Sequence, residues 1–167
     1  GLDNSKAAQL AIKLNELLAN YSLFYQNTRG YHWNIKGEKF FELHLKFEEL
    51  YNDLLLKVDE VAERILTLGH SPIHNYSEYR KTSKIAESTK VSDGITAVKE
   101  ILSSFQTIIL QQRELLSLSA EAGDDLEQVV AAAESARGGA SAGPPSPDNG
   151  SSAPDAGERA AAASGVR

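Results

Sequence analysis

Apolar side chains recur along this chain at spacings of three, four and seven, the rhythm of α-helices. In residues 5–31 they are Leu10, Leu14, Leu17, Leu18, Tyr21, Phe24 and Tyr25, one stripe of an amphipathic helix with Asn4 as the expected N-cap. In residues 39–68 they are Phe40, Leu43, Phe47, Leu50, Leu54, Val61, Ile65 and Leu68, and Gly69 with Pro72 behind it ends the run. A polar connection follows to about residue 91, long enough to cross a bundle, with a short helix expected at 77–84. A third long helix is expected at 92–122, with Ser92 as its N-cap and a stripe of Ile95, Val98, Leu102, Phe105, Ile109 and Leu116. Three long helices and one long crossover predict an all-α chain built as a four-helix bundle.

The pattern weakens towards the end. Asp124 or Asp125 can cap a fourth helix with Leu126, Val129, Val130 and Ala133 on one face, but Gly138 and Gly139 stop it after roughly 20 Å. Its partners are longer, so the fourth helix reads as truncated. Beyond it Gly, Ala, Ser and Pro dominate, and Val166 is the one large apolar side chain. Such a segment buries too little surface to offset its ordering entropy. The expected division is a bundle at 1–136 and a disordered tail at 137–167.

Composition removes several chemistries. There is no Cys, which excludes disulfides, thiolate zinc sites and cysteine nucleophiles. A net charge of −6 opposes sequence-independent DNA binding, which needs clustered Lys and Arg. No apolar run approaches the roughly 18 residues of a membrane span, and a soluble cytoplasmic protein is expected. P-loop and GxGxxG motifs are absent, and so is any ExxH pair.

What remains is a set of metal-ligand types. Asp59 and Glu63 are four apart and project from one helix face a single turn from each other. His44 lies fifteen residues before Asp59 on the same helix, about 22 Å away at 1.5 Å per residue. No metal ion bridges that gap. If the helix pairs antiparallel with its own copy about a point near Tyr51 and Asn52, His44 of one chain comes level with Asp59 and Glu63 of the other. His32 joins them because Gly37 and Glu38 sit at the centre of a helical hairpin, which places His32 beside His44. Two imidazoles facing two carboxylates suit iron, zinc or manganese. His70 and His74 fall in a loop and read as surface residues.

The stretch carrying these residues resembles the Dps family of miniferritins. One family pattern is matched by His32, Trp33, Ile35, Gly37, His44 and Glu48, and a second by Asp59, Ala62, Glu63, Arg64, Gly69 and Pro72, within a resemblance that spans about residues 5–125. The resemblance implies a ferritin-like subunit of a hollow, usually twelve-subunit shell. It further implies ferroxidase centres at two-fold interfaces, where ferrous iron is oxidised by hydrogen peroxide or dioxygen and stored as ferric mineral. Carried over, His32 and His44 with the mate's Asp59 and Glu63 hold the first iron, and Glu48 helps hold a second. Trp33 is the aromatic beside the centre, and Glu42 and Glu49 are candidates to nucleate mineral. A different class of function competes, a non-catalytic helical module that keeps the dimer but cannot close a shell.

Overall fold

The computed structural model describes residues 3–123 as four helices: α1 (Asn4–Asn34), α2 (Phe40–Thr67), α3 (Tyr76–Thr82) and α4 (Gly94–Ala122). The expected fourth bundle helix and the tail fall outside the described residues. Two N-caps move by one position. Asp3 rather than Asn4 caps α1, its carboxylate accepting from the Ser5 amide at 2.8 Å, and Asp93 rather than Ser92 caps α4, accepting from the Thr96 amide at 2.8 Å. A carboxylate at a helix N-terminus satisfies orphaned amides and meets the positive end of the dipole. Gly37 (φ 103°) makes the α1–α2 turn, and Gly69 (φ 79°) ends α2 as expected.

α1 is the central post. α2, α3 and α4 all pack against it, which is why it buries residues on more than one side, among them Leu10, Leu14, Leu17, Leu18, Tyr21 and Phe24. α2 contributes Phe47, Leu54, Val61 and Ile65, all on the expected stripe, while Phe40, Leu43, Leu50 and Leu68 pack at its margin. Each such fully buried side chain is worth about 1.5–3 kcal/mol.

α4 departs from expectation. Its buried residues are Ala97, Ile101, Ser104, Ile108, Gln111, Gln112, Leu115 and Ser119, and Phe105 at their edge meets Phe24 of α1 with ring centroids 5.0 Å apart. The stripe read from the sequence lies about 100° around the helix, with Ile95 68 % and Leu102 61 % exposed. α4 therefore carries two apolar stripes at the same period, and periodicity cannot rank them. Ala97, Ser104 and Ser119 are small enough for close approach to α1, whereas the bulkier stripe borders a groove of about 500 Å³ between α2 and α4. Tyr21, Leu50, Leu54, Phe105, Ile108 and Ile109 line it.

Two buried amides on α1 hold the crossover. Asn20, fully buried, donates to Gln111 Oε1 at 2.6 Å and accepts from the Lys84 amide at 2.7 Å and Ser83 Oγ at 2.8 Å. Asn27 donates to the Ala86 carbonyl and accepts from the Ser88 amide. The connection is polar because its backbone groups need partners once packed on a helix, and two asparagines supply both donors and acceptors. Near the hairpin, buried Tyr31 donates its hydroxyl hydrogen to Glu100, joining α1 to α4.

Two stability tests follow from these contacts. Asn20→Ala leaves the Gln111 side chain and crossover amides without their partner, and should lower unfolding free energy by about 2–3 kcal/mol. Urea denaturation measures this, and a loss under about 0.5 kcal/mol would contradict the role. Burial, reinforced by Glu100, pushes the Tyr31 phenol above its ordinary value of 10.0. The fold thus favours the neutral phenol, a contribution complete below pH 10 and lost as pH rises towards the folded value. Tyr31→Phe should flatten the fall in melting temperature above pH 10, and parallel pH profiles for the two proteins would refute this.

Candidate metal centre

The hairpin determines the site. His32 stands in the last turn of α1 and His44 in the second turn of α2, six residues either side of Glu38, and the rings of Tyr25 and Tyr51 meet thirteen residues either side of it. Both pairs report the same antiparallel register, centred where Gly37 turns the chain. Ile35, buried at the end of α1, closes the hairpin from within.

The imidazoles are bound reciprocally. His32 Nδ1 lies 2.8 Å from the His44 carbonyl oxygen, and His44 Nδ1 lies 2.9 Å from the His32 carbonyl oxygen. A carbonyl only accepts, so each Nδ1 carries the hydrogen and each Nε2 of the neutral ring is left with a lone pair. Backbone carbonyls behind metal-ligating histidines work this way, fixing tautomer and ring orientation. The rings stack with centroids 3.7 Å apart and 20° between planes. His32 is buried and His44 half-buried.

The carboxylates divide as expected from helix rise. Glu48, one turn beyond His44, is half-buried, while Asp59 and Glu63 are exposed farther along α2. Among the described residues, no three or more His, Asp or Glu side chains converge as a metal site. One chain unites His32 with His44 and presents Asp59 near Glu63, without bringing the two pairs together. Around the carboxylates α2 exposes apolar residues, including Leu55, Leu56 and Leu66, with Phe41 and Leu45 near its other end. Apolar side chains gathered on one helix side commonly mark an association surface.

Other expected residues are placed less simply. Trp33 is 58 % exposed, and the Arg29 guanidinium lies 4.6 Å from its ring centroid. Glu42 pairs with Lys39 at 3.2 Å and Glu49 with Lys46 at 2.6 Å, both on the surface, with Glu49 also bordering the α2–α4 groove. Tyr51 turns its ring towards α1, edge-on to His32 at 5.3 Å. Phe40 stacks on His44 at 5.0 Å. The sequence reading missed these two aromatics as neighbours of the site. The symmetric register about Glu38 could have found Tyr51, but Phe40 gave no signal apart from its place in the apolar stripe.

The comparisons agree with this architecture. A family model described as a ferritin-like domain matches residues 12–131. An uncharacterized protein of Haemophilus influenzae is 54 % identical over 125 residues, covering 75 % of this chain and 78 % of that one. A DNA protection during starvation protein of Porphyromonas gingivalis is 39 % identical, with 75 % and 79 % covered. The crystal structure of a Dps protein from Vibrio cholerae O1, described as a member of a broad superfamily of ferritin-like diiron-carboxylate proteins, superposes with a TM-score of 0.77 at 48 % identity, covering 83 % of this chain and 86 % of that one. The helical hairpin, the long crossover and these matches together show that the chain belongs to the Dps miniferritins of the ferritin-like family.

Proposed function

We propose that this protein stores and detoxifies iron, oxidising ferrous iron at centres shared between two subunits. The observation that carries the reading is the split ligand set: two imidazoles with Nε2 available at one end of α2, two exposed carboxylates some 22 Å along the same rod. Antiparallel pairing of α2 with a second copy about Tyr51 and Asn52 would level His32 and His44 with the partner subunit's Asp59 and Glu63. Asn52 and the apolar residues Leu45, Leu55 and Leu56 are exposed, as such an interface requires. Two centres would form per dimer, related by the two-fold axis.

Iron is the substrate. The imidazoles hold ferrous iron at neutral pH, and the hard carboxylate oxygens stabilise the ferric product. Glu48, next to His44 on the helix, would help hold a second iron. Two ferrous ions each give up one electron and hydrogen peroxide takes both. Its O–O bond breaks and, with two protons, two waters leave. Pairing the electrons avoids one-electron release of hydroxyl radical, and dioxygen is the alternative oxidant. Ferric product would then collect as mineral within a closed homo-oligomeric shell, for which the dodecamer is the expected form. The net charge of −6 weighs against DNA as a partner. No helix among the described residues is long and apolar enough to cross a membrane.

One observation supports a second reading, a dimeric assembly module without a shell. Part of the outer stripe of α4 is left open among the described residues, with Ile95 68 % and Leu102 61 % exposed. Sedimentation separates the two readings, since a closed particle supports storage and a dimer in dilute solution supports the module.

The split centre predicts a complementation pattern. His44→Ala and Asp59→Ala should each lower the rate of ferric absorbance growth, after anaerobic ferrous loading and peroxide addition, by at least about a hundredfold. Equal mixing during assembly should restore roughly a quarter of the wild-type centres, because half the dimers are mixed and each of those keeps one intact site. Absence of recovery in a mixture proven to contain mixed dimers would exclude a shared centre.

A further inference from the structure

The two histidines occupy the middle of a column of four rings. Phe40 lies against His44 with centroids 5.0 Å apart and 24° between planes, His44 against His32 at 3.7 Å and 20°, and Tyr51 meets His32 edge-on at 5.3 Å and 77°. The column is anchored at both ends. Phe40 is the first residue of α2, with its ring against the edge of Phe41, while Tyr51 is held by the edge of Tyr25 on α1.

A hydrogen bond to a carbonyl secures one atom of an imidazole but leaves the ring free to swing about that contact. The swing moves Nε2, and a metal ligand is useful only when its lone pair points at the ion. Face and edge contacts remove that freedom, because a ring stacked on one side and blocked on the other cannot rotate without losing them. We propose that Phe40 and Tyr51 are positioning residues for metal capture, closing the two ends of the imidazole pair and setting the direction of both Nε2 lone pairs. This rests on His32 and His44 being ligands.

The aromatic ring carries the effect at each position. The hydroxyl of Tyr51 has no hydrogen-bond partner among the described residues, so its phenyl part is what touches His32. Both residues are only half-buried. Replacing them with leucine therefore keeps apolar volume and leaves the core intact while removing the flat face or edge. Ligands ordered before binding lose less entropy on capture, so loosening them weakens affinity.

The test uses the full-length, assembled protein and cobalt(II), a redox-silent probe whose visible bands report ligand geometry. Phe40→Leu and Tyr51→Leu should weaken cobalt(II) binding by about three- to tenfold, the equivalent of one lost aromatic contact, and should alter the band pattern. Phe40→Tyr and Tyr51→Phe, which keep the ring, should bind like the wild type. Melting temperatures measured in parallel distinguish loosened ligands from a damaged fold. If wild-type protein binds cobalt through the pair and both leucine variants match it in affinity and spectrum, the positioning role is overturned alone. If the wild type and His32→Ala bind cobalt equally, the ligand assignment fails first and takes the positioning role with it.

Discussion

An α-helix does not bend to bring its own residues together, and this rigidity governs the molecule. α2 carries an imidazole in its second turn and two carboxylates in its later turns, all on one rod whose rise is 1.5 Å per residue. Nothing within a single subunit can shorten that distance. The fold answers half of the difficulty internally by folding α1 back on α2, which delivers His32 to His44. The proposed shared centre assigns the other half to a surface that one subunit leaves exposed, and it is the reading that uses all four of these side chains.

The imidazole pair is ordered by the hairpin itself. The two Nδ1–carbonyl bonds are exchanged between α1 and α2, so the same contacts that fix the tautomers also fix the register of the helices. Fold and chemistry are therefore coupled at this point. A slip of the hairpin by one residue would rotate each ring about 100° around its helix and break both bonds. The aromatic residues on either side, Phe40 and Tyr51, extend the same register outward to Tyr25.

A second consequence of building around α1 is the groove. α2 and α4 both lie on α1 and approach each other closely at the hairpin end, where a Cβ on Gly94 would stand 2.5 Å from Leu43 Cδ1. Away from that contact they part and leave the apolar channel lined by Leu50, Leu54, Phe105 and Ile109. In a four-helix bundle this is the position of a fourth long element. From the outer stripe of α4, Phe105 and Ile109 face that channel, with Phe105 also edge-on to Phe24 of α1, while Ile95 and Leu102 lie exposed outside it.

Much of this was legible in the residues themselves. Helix extents followed from spacing and from Gly37 and Gly69, because local sterics and solvent exclusion act over a few residues. The hairpin centre, and with it the pairing of His32 and His44, followed from counting. The distance between His44 and the carboxylates was equally determined by the chain alone, since helical rise does not depend on what surrounds it. Which stripe of α4 meets α1 was decided only by tertiary packing: two stripes share one period, and the choice turned on whether Ala97 and Ser104 allow close approach. The reciprocal carbonyl bonds and the ring column also needed the folded molecule. They depend on side-chain orientations set jointly by two helices, and no pattern along one strand of sequence encodes an angle between rings.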